Sequence, residues 1–192
     1  MYQEKMKPIL DDIENKDVEI AGGSVVGIVL STINSLIKYI SNLTLGKKKY
    51  EDVQDEIQKI LEEADRLKQK TLNVIDEDKE VLETILEKYK IRRDSPKDYE
   101  DACKNGVKFC MEVVQMAYST LELSDRISRV GNRMLASDFK ICKYYAFASI
   151  KSAIVNVEIN LNSLTDETYK MAVKEKCNQI LQQAQILIDK NL

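Results

Sequence analysis

Apolar residues return at three- and four-residue steps along most of the chain, which is the spacing of one face of an α-helix. No stretch alternates with a period of two, so no strand is expected. The pattern predicts six helices. The first runs from about Gln3 to Asn15, amphipathic through Met6, Ile9, Leu10 and Ile13. The second begins at Ser24 and ends near Gly46, and it is apolar on most sides. Lys38, Asn34, Asn42 and several hydroxyls argue against a membrane span there and for a central helix buried all round. The third runs from Tyr50 to about Tyr89 with an inner face that includes Ile57, Ile60, Ala64, Val74, Val81, Leu82 and Ile85. At 1.5 Å per residue it would be about 60 Å long, longer than a domain of this size is wide. Part of it should therefore extend beyond its own core or meet a partner chain. "RRDSPKD" breaks the pattern at Pro96. A fourth helix reaches about Arg129, and Gly131 and Asn132 open a turn. A fifth begins at Ser137 and Asp138 and reaches about Leu164. Thr165 or Asp166 caps the last. The expectation is an all-α antiparallel bundle of about six helices with one long central helix, residues 1–192 forming a single domain.

One position interrupts this pattern. In "NVIDEDKEVLETI", Asp78 lies three residues after Ile75 and four before Leu82, in the middle of an apolar stripe. Asp76 and Glu77 project to other sides. A carboxylate buried without a partner costs several kcal/mol or takes up a proton. Either Asp78 is held by an ion pair or a helix-end hydrogen bond, or it is a general acid/base.

Three further stretches carry candidate chemistry. "AGGSVVG", Ala21 to Gly27, is either a loop ending in a Ser24 N-cap or a ligand site, where glycines admit a ligand to the free N–H groups of a helix start. It lacks the spacing of a nucleotide-binding fingerprint. "GKKKYED" sets Lys47, Lys48 and Lys49 at the end of the second helix, where cations match the helix dipole. A small anionic-tail site is the alternative. Asn156 and Asn160, four apart, share one helix face, with Ser149 and Ser152 on or near the same side. Their amides want partners, either other helices or the edges of a heterocycle.

Composition narrows the chemistry. The chain has 192 residues and no histidine, which excludes a His base, Ser–His and Cys–His nucleophile pairs and imidazole-ligated zinc. No metal site is expected. Its net charge of -3, with no basic face, argues against nucleic acid. Cys103, Cys110, Cys142 and Cys177 form no CxxC pair and read as reduced thiols in or near a core. The N-terminus "MYQEKMKPIL" lacks the apolar stretch of a signal peptide, so a cytoplasmic chain without membrane association is expected.

Taken in order, these motifs resemble the formiminotetrahydrofolate cyclodeaminase / methenyltetrahydrofolate cyclohydrolase family over nearly the whole chain. The family's glycine loop is matched by "AGGSV" at Ala21 to Val25, and its lysine stretch by "GKKKYE" at Gly46 to Glu51. Its "VDxDAxAF"-like segment is matched by "IDEDKEVL" at Ile75 to Leu82. The "GN...SD" turn is present as Gly131, Asn132, Ser137 and Asp138. The closing "NVxINLxxxxDE" is matched at Asn156 to Leu161 and by Asp166 and Glu167. This chain departs from the family in several places. Ile20 and Ala21 stand where the family has a proline and a glycine, and Lys79 follows the aspartate. Cys110 stands at a usual proline, and Lys140 and Lys143 replace small residues.

The resemblance implies a dimer-forming all-α bundle with folate bound near the subunit contact. It implies Asp78 as the catalytic group, and Gly22, Gly23, Ser24, Lys47, Asn132, Asp138, Asn156 and Asn160 as substrate-binding positions. The implied substrate is a tetrahydrofolate derivative, with no bound cofactor. The implied activity is cyclodeaminase, converting 5-formiminotetrahydrofolate to 5,10-methenyltetrahydrofolate and ammonia. Methenyltetrahydrofolate cyclohydrolase is the alternative, and a family member that serves only as a helical scaffold is a third.

Overall fold

A computed structural model describes residues 1–16 and 20–190. Six α-helices follow one another: α1 (Tyr2–Glu14), α2 (Gly22–Asn42), α3 (Gln54–Lys90), α4 (Pro96–Val130), α5 (Ala136–Leu161) and α6 (Glu167–Asp189). No strand occurs among the described residues. Short 3-10 turns at Lys48–Val53 and Arg133–Leu135 lead into α3 and α5. The expected bundle is present, and most helix ends fall within a few residues of the pattern's.

Helices α2, α3, α4 and α5 alternate in direction and pack side by side, with α6 laid against α4 and α5. Leu30, Ile37 and Ile40 of α2 meet Ile57 and Ile60 of α3, Val107, Val114 and Leu121 of α4, and Ile150 and Val157 of α5 in one apolar core. Helix α2 is long and apolar enough to cross a membrane by length and composition alone, but 56% of its most apolar stretch is buried among its neighbours. Lys38, on its rim, pairs with Asp65 of α3. Gly27 lets α2 lie close to α3, since a Cβ there would stand 2.9 Å from the Thr71 carbonyl oxygen. Lys143 is buried on α5 and donates to Asp125 of α4 at 2.8 Å.

Two expectations shift. Helix α2 stops at Asn42 instead of running to Gly46, because Thr44 and Asn132 tie the chain end down. The Asn132 N–H donates to Thr44 Oγ1 at 3.0 Å, and Gly46 takes the left-handed φ of 71°. Ser24 does not cap α2. The helix already starts at Gly22, with Ala21 as the N-cap, so Ser24 is its third residue.

Helix α3 has 37 residues and spans about 56 Å. Its fully buried positions stop at Val74, so its second half stands against the bundle edge. Helix α1 buries no residue, and Met6, Ile9 and Leu10 of its apolar face are exposed.

Candidate functional site

The antiparallel order brings four chain segments to one end of the bundle: the start of α2, the second half of α3, the first half of α4 and the last turns of α5. Between them lies an open cavity of about 150 Å³. Ala21, Gly22 and Gly23 form one wall, and Asp78, Val81, Leu82 and Ile85 another. Phe109 and Cys110 come from α4, and Asn156, Ile159 and Asn160 from α5. Val81, Leu82 and Ile85, read from periodicity as core, are only half-buried and serve as cavity wall.

Asp78 joins two of these segments. The Ser24 N–H donates to Asp78 Oδ2 at 2.9 Å, and the Ser24 hydroxyl reaches the same oxygen at 3.1 Å. That hydroxyl also lies 2.9 Å from the Ile75 carbonyl oxygen, one helical turn before Asp78. The first N–H groups of a helix have no partner within the helix, and a negative charge beside them is favourable. Asp78 therefore supplies, from 54 residues away, the acceptor that a local cap would have given. The helix-end hydrogen bond considered for Asp78 is present. The aspartate nevertheless also lines the cavity.

Gly23 makes this closeness possible. A Cβ built on it would lie 2.0 Å from Asp78 Oδ1, 2.5 Å from Cγ and 2.8 Å from Oδ2. No side chain larger than hydrogen fits between α2 and the carboxylate. Gly22, next to it, is open, with nothing within 4 Å of the corresponding point.

On the opposite wall, Asn160 Nδ2 donates to the Asn156 carbonyl at 3.0 Å and approaches Cys110 Sγ at 3.5 Å. The Asn156 side chain lines the cavity next to Asp78 and makes no hydrogen bond within the described residues, so its amide is available to a ligand. Burial, reinforced by the Asp78 charge, pushes the Cys110 thiol up to about 11, so it stays protonated near neutrality. It is a weak donor there, not a nucleophile. Among the described residues no cluster of three or more Cys, Asp or Glu side chains could hold a metal ion.

Gly22, Gly23, Asp78, Asn156 and Asn160 thus come together around one cavity. Ser24 adjoins them but is fully buried behind Asp78 and forms no part of the wall. Lys47, Asn132 and Asp138 lie at the other end of the bundle, about 30 Å away along the 21 residues of α2. Asn132 is a buried strut there. Its amide donates to the Leu43 carbonyl at 3.3 Å, and its Oδ1 accepts from Tyr50 Oη at 3.3 Å and from the Met134 N–H at 3.2 Å. Lys47 is exposed, and Asp138 stands in the first turn of α5. Ser149 spends its hydroxyl on the Tyr145 carbonyl, and Ser152 is exposed. Phe109 and Cys110 carry no local signal of a site, since an aromatic and a thiol within an apolar stripe look like core.

Known proteins share both the sequence and the shape. The formiminotetrahydrofolate cyclodeaminase of Thermotoga maritima superposes with a TM-score of 0.84 over 96% of this chain and 90% of that one, at 25% identity. The methenyltetrahydrofolate cyclohydrolase of Methylorubrum extorquens is 22% identical over 173 residues, which are 86% of this chain and 83% of that protein. The formimidoyltransferase-cyclodeaminase of Gallus gallus is 23% identical, and the match spans 31% of its length. This chain covers about a third of such two-activity proteins. A profile of the formiminotransferase-cyclodeaminase family matches residues 5–179, and the chain belongs to that family.

Proposed function

We propose that the cavity binds the reacting end of a tetrahydrofolate and that Asp78 moves the proton in a cyclodeaminase reaction. The observation that carries this reading is the division of labour within one carboxylate. Oδ2 is held by Ser24 and the start of α2, while Oδ1 stands over Gly23 at a cavity with an unoccupied amide, Asn156, beside it. In 5-formiminotetrahydrofolate, N10 attacks the protonated formimino carbon and forms a C–N bond. Asp78 takes the N10 proton and delivers it to the formimino nitrogen. The carbon–nitrogen bond then breaks and ammonia departs. The product is the 5,10-methenyl cation, so charge and protons balance without any net uptake. An anchored carboxylate is suited to both steps and also stands near the positive charge. Holding N10 against the carbon supplies the proximity term.

A cyclohydrolase reading is favoured by one observation: the Methylorubrum relative is matched over most of its own length and carries that name. Here water adds to the methenyl carbon and Asp78 takes a proton from it. The C–N5 bond then breaks as Asp78 returns the proton to N5 and the hydroxyl proton leaves, giving 10-formyltetrahydrofolate with one proton released overall. Each folate is offered separately, and methenyl absorbance and ammonia are followed. Methenyl and ammonia appearing together assign the deaminase, and methenyl loss faster than in buffer assigns the cyclohydrolase. Asp78→Asn should fold normally and lose turnover by about 10²-fold or more. Unchanged turnover would refute the role of Asp78.

We further propose a homodimer through the outer faces of α2 and α5. Ile141, Tyr145, Val155 and Ile159 of α5 and Tyr39 of α2 are exposed along this face, and Ile28, Val29 and Leu36 border a second, apolar cavity of about 300 Å³ there. The face runs about 27 Å from Ile141 to Ile159, by the rise of 1.5 Å per residue. Its Ile159 end forms part of the folate cavity. That cavity is smaller than the roughly 300–1,000 Å³ of ordinary ligand sites, so a second copy laid on this face would complete it. The mass in solution tests this: a monomer at assay concentration refutes it.

A further inference from the structure

We propose that Ser24 is a positioning residue for the reaction: it fixes Oδ2 of Asp78 so that Oδ1 alone exchanges the proton with the folate. This rests on the acid/base reading of Asp78 given above. Ser24 is fully buried and absent from the cavity wall, so it cannot touch a substrate. Its main-chain N–H donates to Oδ2 at 2.9 Å, and its hydroxyl, with one proton to give, has Oδ2 at 3.1 Å and the Ile75 carbonyl oxygen at 2.9 Å within reach. The charge of the carboxylate favours it over the carbonyl for that proton, and with the proton on Oδ2 both of its in-plane lone pairs are engaged. Oδ2 is thereby withdrawn from proton transfer, which leaves Oδ1.

The hydroxyl is also the gauge of this arrangement. It lies 2.9 Å from the Ile75 carbonyl oxygen, so it is keyed to the α3 backbone as well as to the side chain on the next turn. Gly27 holds the two helices together one turn farther on, which prevents the start of α2 from drifting away from Asp78. The carboxylate is thus clamped from α2 and α3 at once, and its torsion is set. Cys110 of α4 is the other titratable group on the cavity wall and stays protonated. From α5 the wall carries the amides Asn156 and Asn160 and the apolar Ile159. Without the Ser24 hydroxyl, the main-chain N–H still holds Oδ2, but the second lone pair is released. The carboxylate can then rotate and present either oxygen.

The test uses the intact chain and whichever folate it turns over. Ser24→Ala should lower kcat about tenfold to a hundredfold, the loss expected from a misplaced reacting group. KM should stay within twofold, because the residue makes no substrate contact. Ser24→Thr, which keeps the hydroxyl, should recover most of kcat. An unchanged kcat in Ser24→Ala, with Asp78→Asn inactive, overturns this inference and leaves the role of Asp78 intact. A fall in kcat accompanied by an equal rise in KM and no recovery in Ser24→Thr also overturns it, because Ser24 would then only shape the cavity. Full activity in Asp78→Asn removes both readings. If Ser24→Ala does not fold, Ser24→Cys keeps the size with only a weak donor and is read by the same criteria.

Discussion

A single methyl group added at Gly23 should separate the carboxylate from its anchor. The Cβ of Gly23→Ala would lie 2.0, 2.5 and 2.8 Å from the Oδ1, Cγ and Oδ2 atoms of Asp78, all closer than real Cβ atoms come to a neighbour. The backbone of α2 is fixed by its packing, so the carboxylate must yield by about 1 Å or more, a displacement that can cost 10²-fold in rate. Two bonds to Oδ2 are strained or lost with it. Asp78 is half-exposed and recovers water, but the buried Ser24 N–H does not, and an unpartnered buried donor costs about 1–3 kcal/mol. Alanine is the better helix former by about 1 kcal/mol, which offsets part of this. The net loss is about 0–2 kcal/mol. At about 2–4 °C per kcal/mol for a chain of this length, Tm should fall by up to about 8 °C.

Gly22→Ala isolates the cause. Its Cβ meets nothing within 4 Å, and Gly22 is the first residue of the helix, so thermal stability should hold or rise slightly. Neighbouring glycines, given the same substitution, should therefore differ, with Tm lower in Gly23→Ala than in Gly22→Ala. Circular dichroism melts give the stabilities, and methenyl absorbance with whichever folate the chain turns over gives kcat. A Gly23→Ala protein with Tm and kcat equal to those of the unmodified chain would refute the clamp geometry.

Two further predictions concern the buried thiols. With its thiol pushed up to about 11, Cys110 holds about one part in a thousand of thiolate at pH 8, so iodoacetamide labelling followed by mass spectrometry should be slow and should rise steeply above pH 9. Labelling at the rate of a free thiol would refute the burial argument. Burial, reinforced by the Asp138 charge, likewise pushes Cys142 up to about 12 from its ordinary 9.0. The folded state keeps a proton that the unfolded chain releases, so this contribution is complete below pH 9 and is lost as pH rises toward the folded-state value. The slope is about 1.4 kcal/mol per pH unit for each such thiol. Urea midpoints between pH 8 and 10.5 should fall less steeply in Cys142→Ala, and an identical slope would refute this.

The helices were legible because each buries one stripe, and an apolar stripe leaves its period in the sequence whatever it packs against. Where the pattern failed, a distant residue had replaced a local signal. Ser24 is a good N-cap by local chemistry, yet Asp78 supplies an acceptor from α3, and the helix begins two residues earlier. Helix α2 should have continued to Gly46 by its apolar run, but Thr44 is taken by Asn132 from the α4–α5 turn. Asp78 was conspicuous because a charge in a stripe breaks the period. Phe109, Cys110 and Ile85 were not, because a cavity wall and a core have the same composition. What distinguishes them is empty space opposite. That space depends on how four helices meet, and no local window contains it.

The same geometry weighs against a purely structural Asp78. Anchoring the start of α2 requires one carboxylate oxygen, and Oδ2 meets that need with two donors from Ser24. A cap with no other duty would be more stable with its second oxygen bonded and the adjoining space filled by side chains. Here Oδ1 instead stands against the bare backbone of Gly23, and Asp78 lines a cavity that the Asn156 amide also lines without a protein partner. Val81, Leu82, Ile85 and Ile159 line it with apolar surface. A helix-capping role explains Oδ2 and Ser24. It also explains Gly23, whose bare backbone admits the carboxylate, but leaves the second oxygen and the unused amide without a cause, which the proposed proton transfer to a folate would supply.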